Sequence, residues 1–450
     1  MNNPVYQTVI VGGGFTGLFT ALHLSRQNYP RSVILIDRGE RFCFRPLLYE
    51  YFSGDMDAQQ VVPRFEELLR GSGVIFVQDS VQSIDLHQRQ VQLASGDCYN
   101  YSNLVLALGS VTNYFGVEGA KEYAFPFWTQ ENAIAIDKHL RNCLQQALNT
   151  EDSEKRRQLL TVAIIGGGPS GIEMAASLAD LLPHWYEGLG GLKEEVRVVL
   201  LNQGKEILKG DAYDLLRENA LLELQKRAVK VEMLMEAKAT AVRPDSIEYK
   251  RDGKLEKLLA STTIWTTGTS TNPLIKDLAV GDEHRTKQDR LEVTATMQLP
   301  EFPEVFAGGD CVSMKDDSSL PPTAQVAYQQ GEAIAHNLKA LALENELKPA
   351  KVNLRGTLLK LGLEDAAANI FNTFEVKGEL GHLIRQSTYL DLLPTPVHNS
   401  KLRTKWLNEE VFQRYLDSSN VGKTAVQTMQ VVGIAVGRKL LQMLGDNEKS

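Results

Sequence analysis

Residues 8–37 read TVIVGGGFTGLFTALHLSRQNYPRSVILID, and residues 161–203 read TVAIIGGGPSGIEMAASLADLLPHWYEGLGGLKEEVRVVLLNQ. Each opens on a short apolar run, breaks at a glycine cluster and resumes with helical periodicity. The periodicity predicts a strand at Gln7–Val11, a helix through Leu24 and a second strand at 33–36. It repeats as a strand at 162–165, a helix through Leu182 and a strand at 196–201. The glycines explain the breaks. Gly12 and Gly166 make the tight turn out of the strand. Gly14 and Gly168 let backbone approach a pyrophosphate, and Gly17 and Gly171 let helix and strand pack closely. A pyrophosphate at such a turn sits on the free N–H groups and positive dipole end of the helix. One G-x-G-x-x-G is weak evidence. Two, each between a strand and a helix, predict an α/β chain with two Rossmann-like dinucleotide-binding domains.

The strand tips distinguish the two units. Asp37 closes the second strand of the first unit twenty residues after Gly17, the position at which an acid accepts ribose hydroxyls. The corresponding strand of the second unit ends at Asn202. A neutral amide does not repel a 2′-phosphate, and Lys205 lies three residues on, so NADPH is expected to be accepted. Glu206 leaves the alternative open, because it is placed to hold NADH instead.

The bulk properties limit the function classes. The chain has 450 residues, long enough for two or three domains. A net charge of −8 gives no basic field to hold a nucleic acid. Cys43, Cys98, Cys143 and Cys311 form no C-x-x-C pair and share no zinc-ligand spacing with histidine, so neither a disulfide framework nor a metal site is expected. The N-terminal residues carry no charged-then-apolar leader, and no run of 18 apolar residues occurs. Neither a signal peptide nor a membrane-spanning helix is therefore expected.

Further motifs add a resemblance. FRPLLYE (44–50), AFPFWT (124–129), WTTGTSTNP (265–273), FAGGD (306–310), PPTAQVAYQQG (321–331) and YLDLLPT (389–395) resemble the type II NAD(P)H:quinone dehydrogenases over roughly the whole chain. Within them, the motifs look most like the demethylphylloquinone (demethylnaphthoquinone) reductase branch of photosynthetic organisms. The resemblance implies that Asp37 and Asp310 hold FAD, with Phe15, Thr16, Arg38, Gly109, Gly268, Ala324 and Gln325 as further cofactor contacts. It implies that Gly166, Gly168, Gly171 and Asn202 hold NADPH or NADH. It puts Glu173 near the flavin–nicotinamide contact, and Gln325 and Gln329 at the pocket of a lipophilic quinone. Amides suit that pocket, because they offer hydrogen bonds to quinone oxygens without adding charge. The resemblance also implies hydride transfer from nicotinamide to flavin, then two electrons to a naphthoquinone. The absence of a C-x-x-C pair argues against a disulfide reductase. Paired cysteines are also wanting for a sulfide:quinone oxidoreductase, although Cys311 adjoins FAGGD.

The expected domains are residues 1–128 and 269–345 for FAD, 129–268 for NAD(P)H, and a C-terminal region at 346–450. The polar stretch 149–158 reads as an exposed connection. Residues 395–445 hold seven Lys or Arg against three acids. Val421, Ala425, Met429, Val432, Val436, Leu440 and Leu444 recur along one helix face, with Trp406 and Tyr415 before them. This pattern suits an interfacial anchor, and the expected location is peripheral, on the cytoplasmic side of a thylakoid or plasma membrane. Gly433 and Gly437 equally suit packing in a homodimer. His382 and His398 read as structural or surface residues. Two other functions stay open: a redox sensor with little turnover, and a reductase for a protein electron carrier. A respiratory role with a pool quinone is also compatible with the motifs.

Overall fold

A computed structural model describes residues 7–209, 214–315, 320–354, 356–363, 365–370, 374–376 and 378–394. Within residues 1–385 the chain builds two parallel five-stranded sheets. The first runs Val305–Ala307, Asn103–Leu106, Gln7–Val11, Ser32–Asp37, Ile75–Gln78. The second runs Phe125–Pro126, Thr262–Trp265, Thr161–Ile165, Arg197–Asn202, Glu232–Met235. Both put the fingerprint strand at the centre and the acid- or amide-tipped strand beside it, so the duplication seen in the sequence is a duplication of architecture. The central strands are apolar on both faces. Val9, Ile10 and Val11, and Val162, Ala163 and Ile164, are essentially inaccessible, as strands covered by layers on both sides require.

Each sheet takes its outer strand from beyond its own βαβ unit. Phe125–Pro126 precedes the second fingerprint, and Val305–Ala307 follows the whole second unit. The chain therefore crosses between units twice. The two crossings pair as antiparallel strands, Ser110–Thr112 with Thr269–Thr271. Beside them the Trp265 indole donates to the Asn113 carbonyl at 3.0 Å.

Two local expectations need correction. Residues 149–158 are not simply an exposed connection. A helix, Ser153–Leu159, occupies most of them, because the Asp152 carboxylate accepts from the N–H groups of Glu154 and Lys155 and caps it. The second fingerprint helix does not stop at Leu182. It runs Pro169–Gly188 through the buried Pro183, with Tyr186 buried in the same core beyond it. Packing there outweighs the lost proline N–H.

Beyond residue 345 the strands Gly356–Lys360, Ala366–Ile370 and Phe374–Val376 form an antiparallel sheet, followed by a helix, Gly378–Asp391. The second compact unit, residues 386–450, is described only over 386–394, which hold the end of that helix. The amphipathic pattern at 421–444, Trp406, Tyr415 and His398 lie outside the described residues. Among the described residues no helix is long and apolar enough to cross a membrane.

Candidate active site

The first fingerprint turn is built by its glycines. The Gly12 N–H donates to the Ile36 carbonyl at 2.8 Å, and Gly12 sits at φ +99°, which L side chains rarely adopt. A Cβ on Gly17 would fall on the Gly12 carbonyl oxygen. A Cβ on Gly14 would meet nothing within 4 Å. Gly14 also begins its helix with no side chain capping it. The turn thus presents open space in front of helix N–H groups, which fits a pyrophosphate. Asp37 stands beside it. Its two carboxylate oxygens accept from Gly13 N–H at 2.6 Å and Gly39 N–H at 2.8 Å. Burial pushes its carboxyl upward, against the pull of those two N–H groups and of Arg38. Arg38 itself is exposed, and Phe15 stacks edge-on with Phe42 and Phe44.

The second part of this site comes from residues 306–331. The helix Ala324–Ala342 lies against the first fingerprint helix, Phe15–Arg26, through small residues. Thr16 donates to the Ala327 carbonyl at 3.1 Å and Thr20 to the Gly331 carbonyl at 3.1 Å. A Cβ on Gly331 would press on the Thr16 carbonyl. Asp310 follows Val305–Ala307, a parallel strand of the sheet that carries Asp37, and its Oδ2 accepts from Ser110 at 2.9 Å. Gly109, at φ +62° with open space around it, immediately precedes that serine. The sequence reading passed over Gln330. It is buried, and its Oε1 accepts from Gly309 N–H at 2.7 Å, fixing the FAGGD turn.

The second fingerprint repeats the first. Gly166 N–H donates to the Leu201 carbonyl at 2.9 Å, and a Cβ on Gly171 would fall on the Gly166 carbonyl oxygen. A Cβ on Gly168 would meet nothing within 4 Å. Asn202 takes the place of Asp37: its Oδ1 accepts from Gly167 N–H at 3.2 Å. Its Nδ2 donates to the carbonyls of Gly204 and Glu206 at 3.0 and 2.9 Å, which folds the following loop. The Glu206 carboxylate lies 3.5 Å from Arg217, and the exposed Lys205 ammonium 3.8 Å from Glu236. Gly268 sits at φ +79° on the return crossing. A Cβ there would enter the Phe115 ring, which is itself 63% exposed.

Gln325 and Gln329 begin the Ala324–Ala342 helix. Gln325 Nε2 donates to the Gly356 carbonyl at 3.2 Å. The Gln329 amide is engaged at both ends: Nε2 donates to the carbonyls of Gln325 and Asn353, and Oε1 accepts from Asn353 N–H at 2.9 Å. Both therefore hold the segment entering the C-terminal sheet onto the Ala324–Ala342 helix.

Glu173, on the second fingerprint helix, is not a helix-surface acid. It is buried, and its Oε1 accepts from Lys360 N–H at 2.9 Å and lies 3.4 Å from Arg385 Nη2. Arg385 Nη1 pairs with Glu50, and Arg385 Nη2 donates to the Pro46 carbonyl at 2.7 Å. The Lys360 ammonium lies 3.6 Å from Glu50 and 3.4 Å from Asp55. Glu50, Lys360 and Arg385 are each fully enclosed. Burial pushes the Glu173 carboxyl up to about 7, with Arg385 and Lys360 N–H pulling the other way. Glu50 is as deeply buried, but Arg385 and Lys360 outweigh the burial and hold its carboxyl below the usual range. Of this network the sequence reading singled out Glu173 alone. For Lys360 a signal was available: it interrupts the apolar run TLLKLGL, and a charge buried there needs partners.

Two open glycine cradles on like-ordered sheets, joined by paired crossings, fit two dinucleotides. The model of the pyridine nucleotide-disulphide oxidoreductases matches residues 6–331. A demethylphylloquinone reductase of Synechocystis is 33% identical, covering 88% of this chain and 95% of its own. The chain belongs to the flavin-dependent type II NAD(P)H:quinone oxidoreductases. A type II NADH:quinone oxidoreductase of Mycobacterium tuberculosis is 30% identical over 84% of this chain and 82% of its own. The fold is shared with the NDH2 structure of Plasmodium falciparum solved with NADH, at a TM-score of 0.77 and 18% identity, covering 89% of this chain and 98% of that one. Among the described residues the cysteines form no disulfide, and Cys143 and Cys311 are buried.

Proposed function

We propose that this member of the family reduces a naphthoquinone of the demethylphylloquinone kind, accepts NADPH, and works at a membrane surface. The observation that carries the reading is the pair of open glycine cradles, because it gives one chain both an electron entry and a relay site. The naphthoquinone rests on the Synechocystis relative and on the FRPLLYE, AFPFWT and YLDLLPT motifs. NADPH rests on Asn202, whose amide leaves the strand tip without the carboxylate that would repel a 2′-phosphate. Glu206 is turned toward Arg217, which favours the same side.

FAD, when bound, supplies the two-electron relay between nicotinamide and quinone. The protein's own residues bind and orient. Residues 1–128 and 269–345 would hold FAD, and 129–268 the nicotinamide dinucleotide. Gly12, Gly14 and Gly17 cradle one pyrophosphate, and Gly166, Gly168 and Gly171 the other. Asp37 receives ribose hydroxyls, and Asp310, steadied by Ser110, the ribityl chain. Gln325 offers an amide beside the quinone, and Gln329 keeps the neighbouring 353–356 backbone in place. Burial pushes the Glu173 carboxyl up to about 7, so it can hold and yield a proton where electrons arrive.

The test is single-turnover spectroscopy on the full chain with FAD. Anaerobic bleaching by NADPH should be at least as fast as by NADH. Reoxidation should be faster with a short-chain demethylnaphthoquinone than with a short-chain ubiquinone. Equal response to both quinones would assign the chain a pool-quinone role. Bleaching without quinone-driven recovery would refute quinone reduction.

A further inference from the structure

Two buried carboxylates, Glu50 and Glu173, face two buried cations, Arg385 and Lys360, and the sharing is unequal. Glu50 Oε1 pairs with Arg385 Nη1 and lies 3.6 Å from Lys360 Nζ, so it takes the near edge of both cations. Glu173 Oε1 has one backbone N–H and the far edge of Arg385 at 3.4 Å. Among the described residues the other groups facing the cluster are Asp55 against Lys360, His382 on the helix that carries Arg385, and Tyr49, whose hydroxyl donates to the Ser170 carbonyl at 3.1 Å. None of them gives Glu173 a further positive charge, because burial first, then Lys360, keeps His382 neutral, pushed down to about 4. In a low-dielectric interior the carboxylate with both cations keeps its charge, and the one left with the remainder binds a proton.

We infer that Glu50 is a positioning residue: by engaging Arg385 and Lys360 it leaves Glu173 as the carboxyl that gives up and regains the proton accompanying quinone reduction. The inference rests on the role proposed above for Glu173. The balance is simple. NAD(P)H, one proton and the quinone give NAD(P)⁺ and the quinol. Two electrons and one proton derive from the nicotinamide hydride. The second proton comes from Glu173: its O–H bond breaks, an O–H bond forms on the quinone oxygen, and the carboxylate regains a proton from water. Oε1 is engaged by Lys360 and Arg385, so Oε2 carries that proton.

The experiment compares wild type, Glu50→Gln, Glu50→Asp, Arg385→Gln and Glu173→Gln as full-length, FAD-loaded enzymes. Two readouts are taken against pH: the rate of quinol formation, and the infrared carbonyl stretch of a protonated carboxylic acid without turnover. In wild type both should share a midpoint near 7. Glu50→Gln removes a like charge from Glu173 and frees Arg385 for it, so both midpoints should fall by about 1–3 units. Glu50→Asp restores the charge and should return the midpoint toward wild type. Arg385→Gln removes the cation and should raise it. Glu173→Gln should abolish the band. If Glu50→Gln leaves both midpoints in place while Glu173→Gln abolishes the band, the role of Glu50 is overturned and that of Glu173 survives. If Glu173→Gln keeps the band and the pH limb, both fall. Should Glu50→Gln not fold, Arg385→Gln decides, and an unmoved midpoint overturns the inference.

Discussion

Gly168 and Gly171 lie in one fingerprint three residues apart, and the structure assigns them opposite sensitivities to a single methyl group. Gly168 has φ −80°, an ordinary value, and its added Cβ meets no atom within 4 Å. In Gly168→Ala the loss of a good N-cap residue and the smaller entropy of the unfolded chain nearly cancel, leaving stability within about 1 kcal/mol of wild type. The methyl group does fill the space above the helix N-terminus. Losing one charge-assisted N–H bond to the pyrophosphate, at roughly 1.5–3 kcal/mol, weakens nucleotide binding about 10- to 150-fold. Gly171→Ala does the reverse damage first. Its Cβ is driven onto the Gly166 carbonyl oxygen and to 2.8 Å from Thr266 Oγ1, so helix and strand must part. Overpacking of this kind costs about 1–3 kcal/mol or more. Thermal melting of both variants without nucleotide, and titration with NADPH by protein fluorescence, separate the two effects. A Gly168→Ala protein that melts as early as Gly171→Ala, or that binds NADPH as wild type does, would refute the cradle reasoning.

Two further outcomes follow from buried titratable groups. His382 is held neutral, pushed down to about 4 from an ordinary 6.5, so the unfolded chain binds a proton that the folded one refuses. Stability is complete above pH 6.5 and falls by about 3 kcal/mol as pH drops toward 4, a loss that His382→Gln should remove from the pH dependence of denaturant midpoints. Among the thiols, burial pushes Cys43 and Cys311 up to about 12 and also raises Cys143, whereas Cys98 is exposed. Mild alkylation at neutral pH should therefore label Cys98 alone and leave quinone reduction intact, as read by peptide mass mapping and turnover.

Much of this architecture is legible in residues 8–37 and 161–203, because the turn chemistry of glycine is local: a carbonyl, a positive φ and a small neighbour all lie within a few residues. The spacing that places Asp37 also places Asn202, and the structure seats both side chains on the N–H of their middle glycine. What the sequence conceals depends on distant segments meeting. Glu50, Glu173, Lys360 and Arg385 come from four separate elements, and their sharing of charge exists only once those elements pack. Gln329 illustrates the same limit. Its amide type suits a quinone, but its partner is the Asn353 backbone, which no periodicity reveals. The helix at Ser153–Leu159 was hidden for another reason: a polar composition resembles a linker until the Asp152 cap is weighed.

The outer strand that each sheet takes from elsewhere sets an order of events during synthesis. The second sheet is whole once the ribosome has made Trp265, whereas the first sheet, begun at Gln7, lacks its Val305–Ala307 edge until some 200 residues after Leu106. At roughly 5–20 residues per second that is an interval of about 10–40 s. Throughout it the nascent first sheet exposes an unpaired apolar edge at Asn103–Leu106, a template for mispairing. The half encoded first is completed last, so chaperone protection is needed throughout that interval, until the second sheet is whole and the Val305–Ala307 strand arrives.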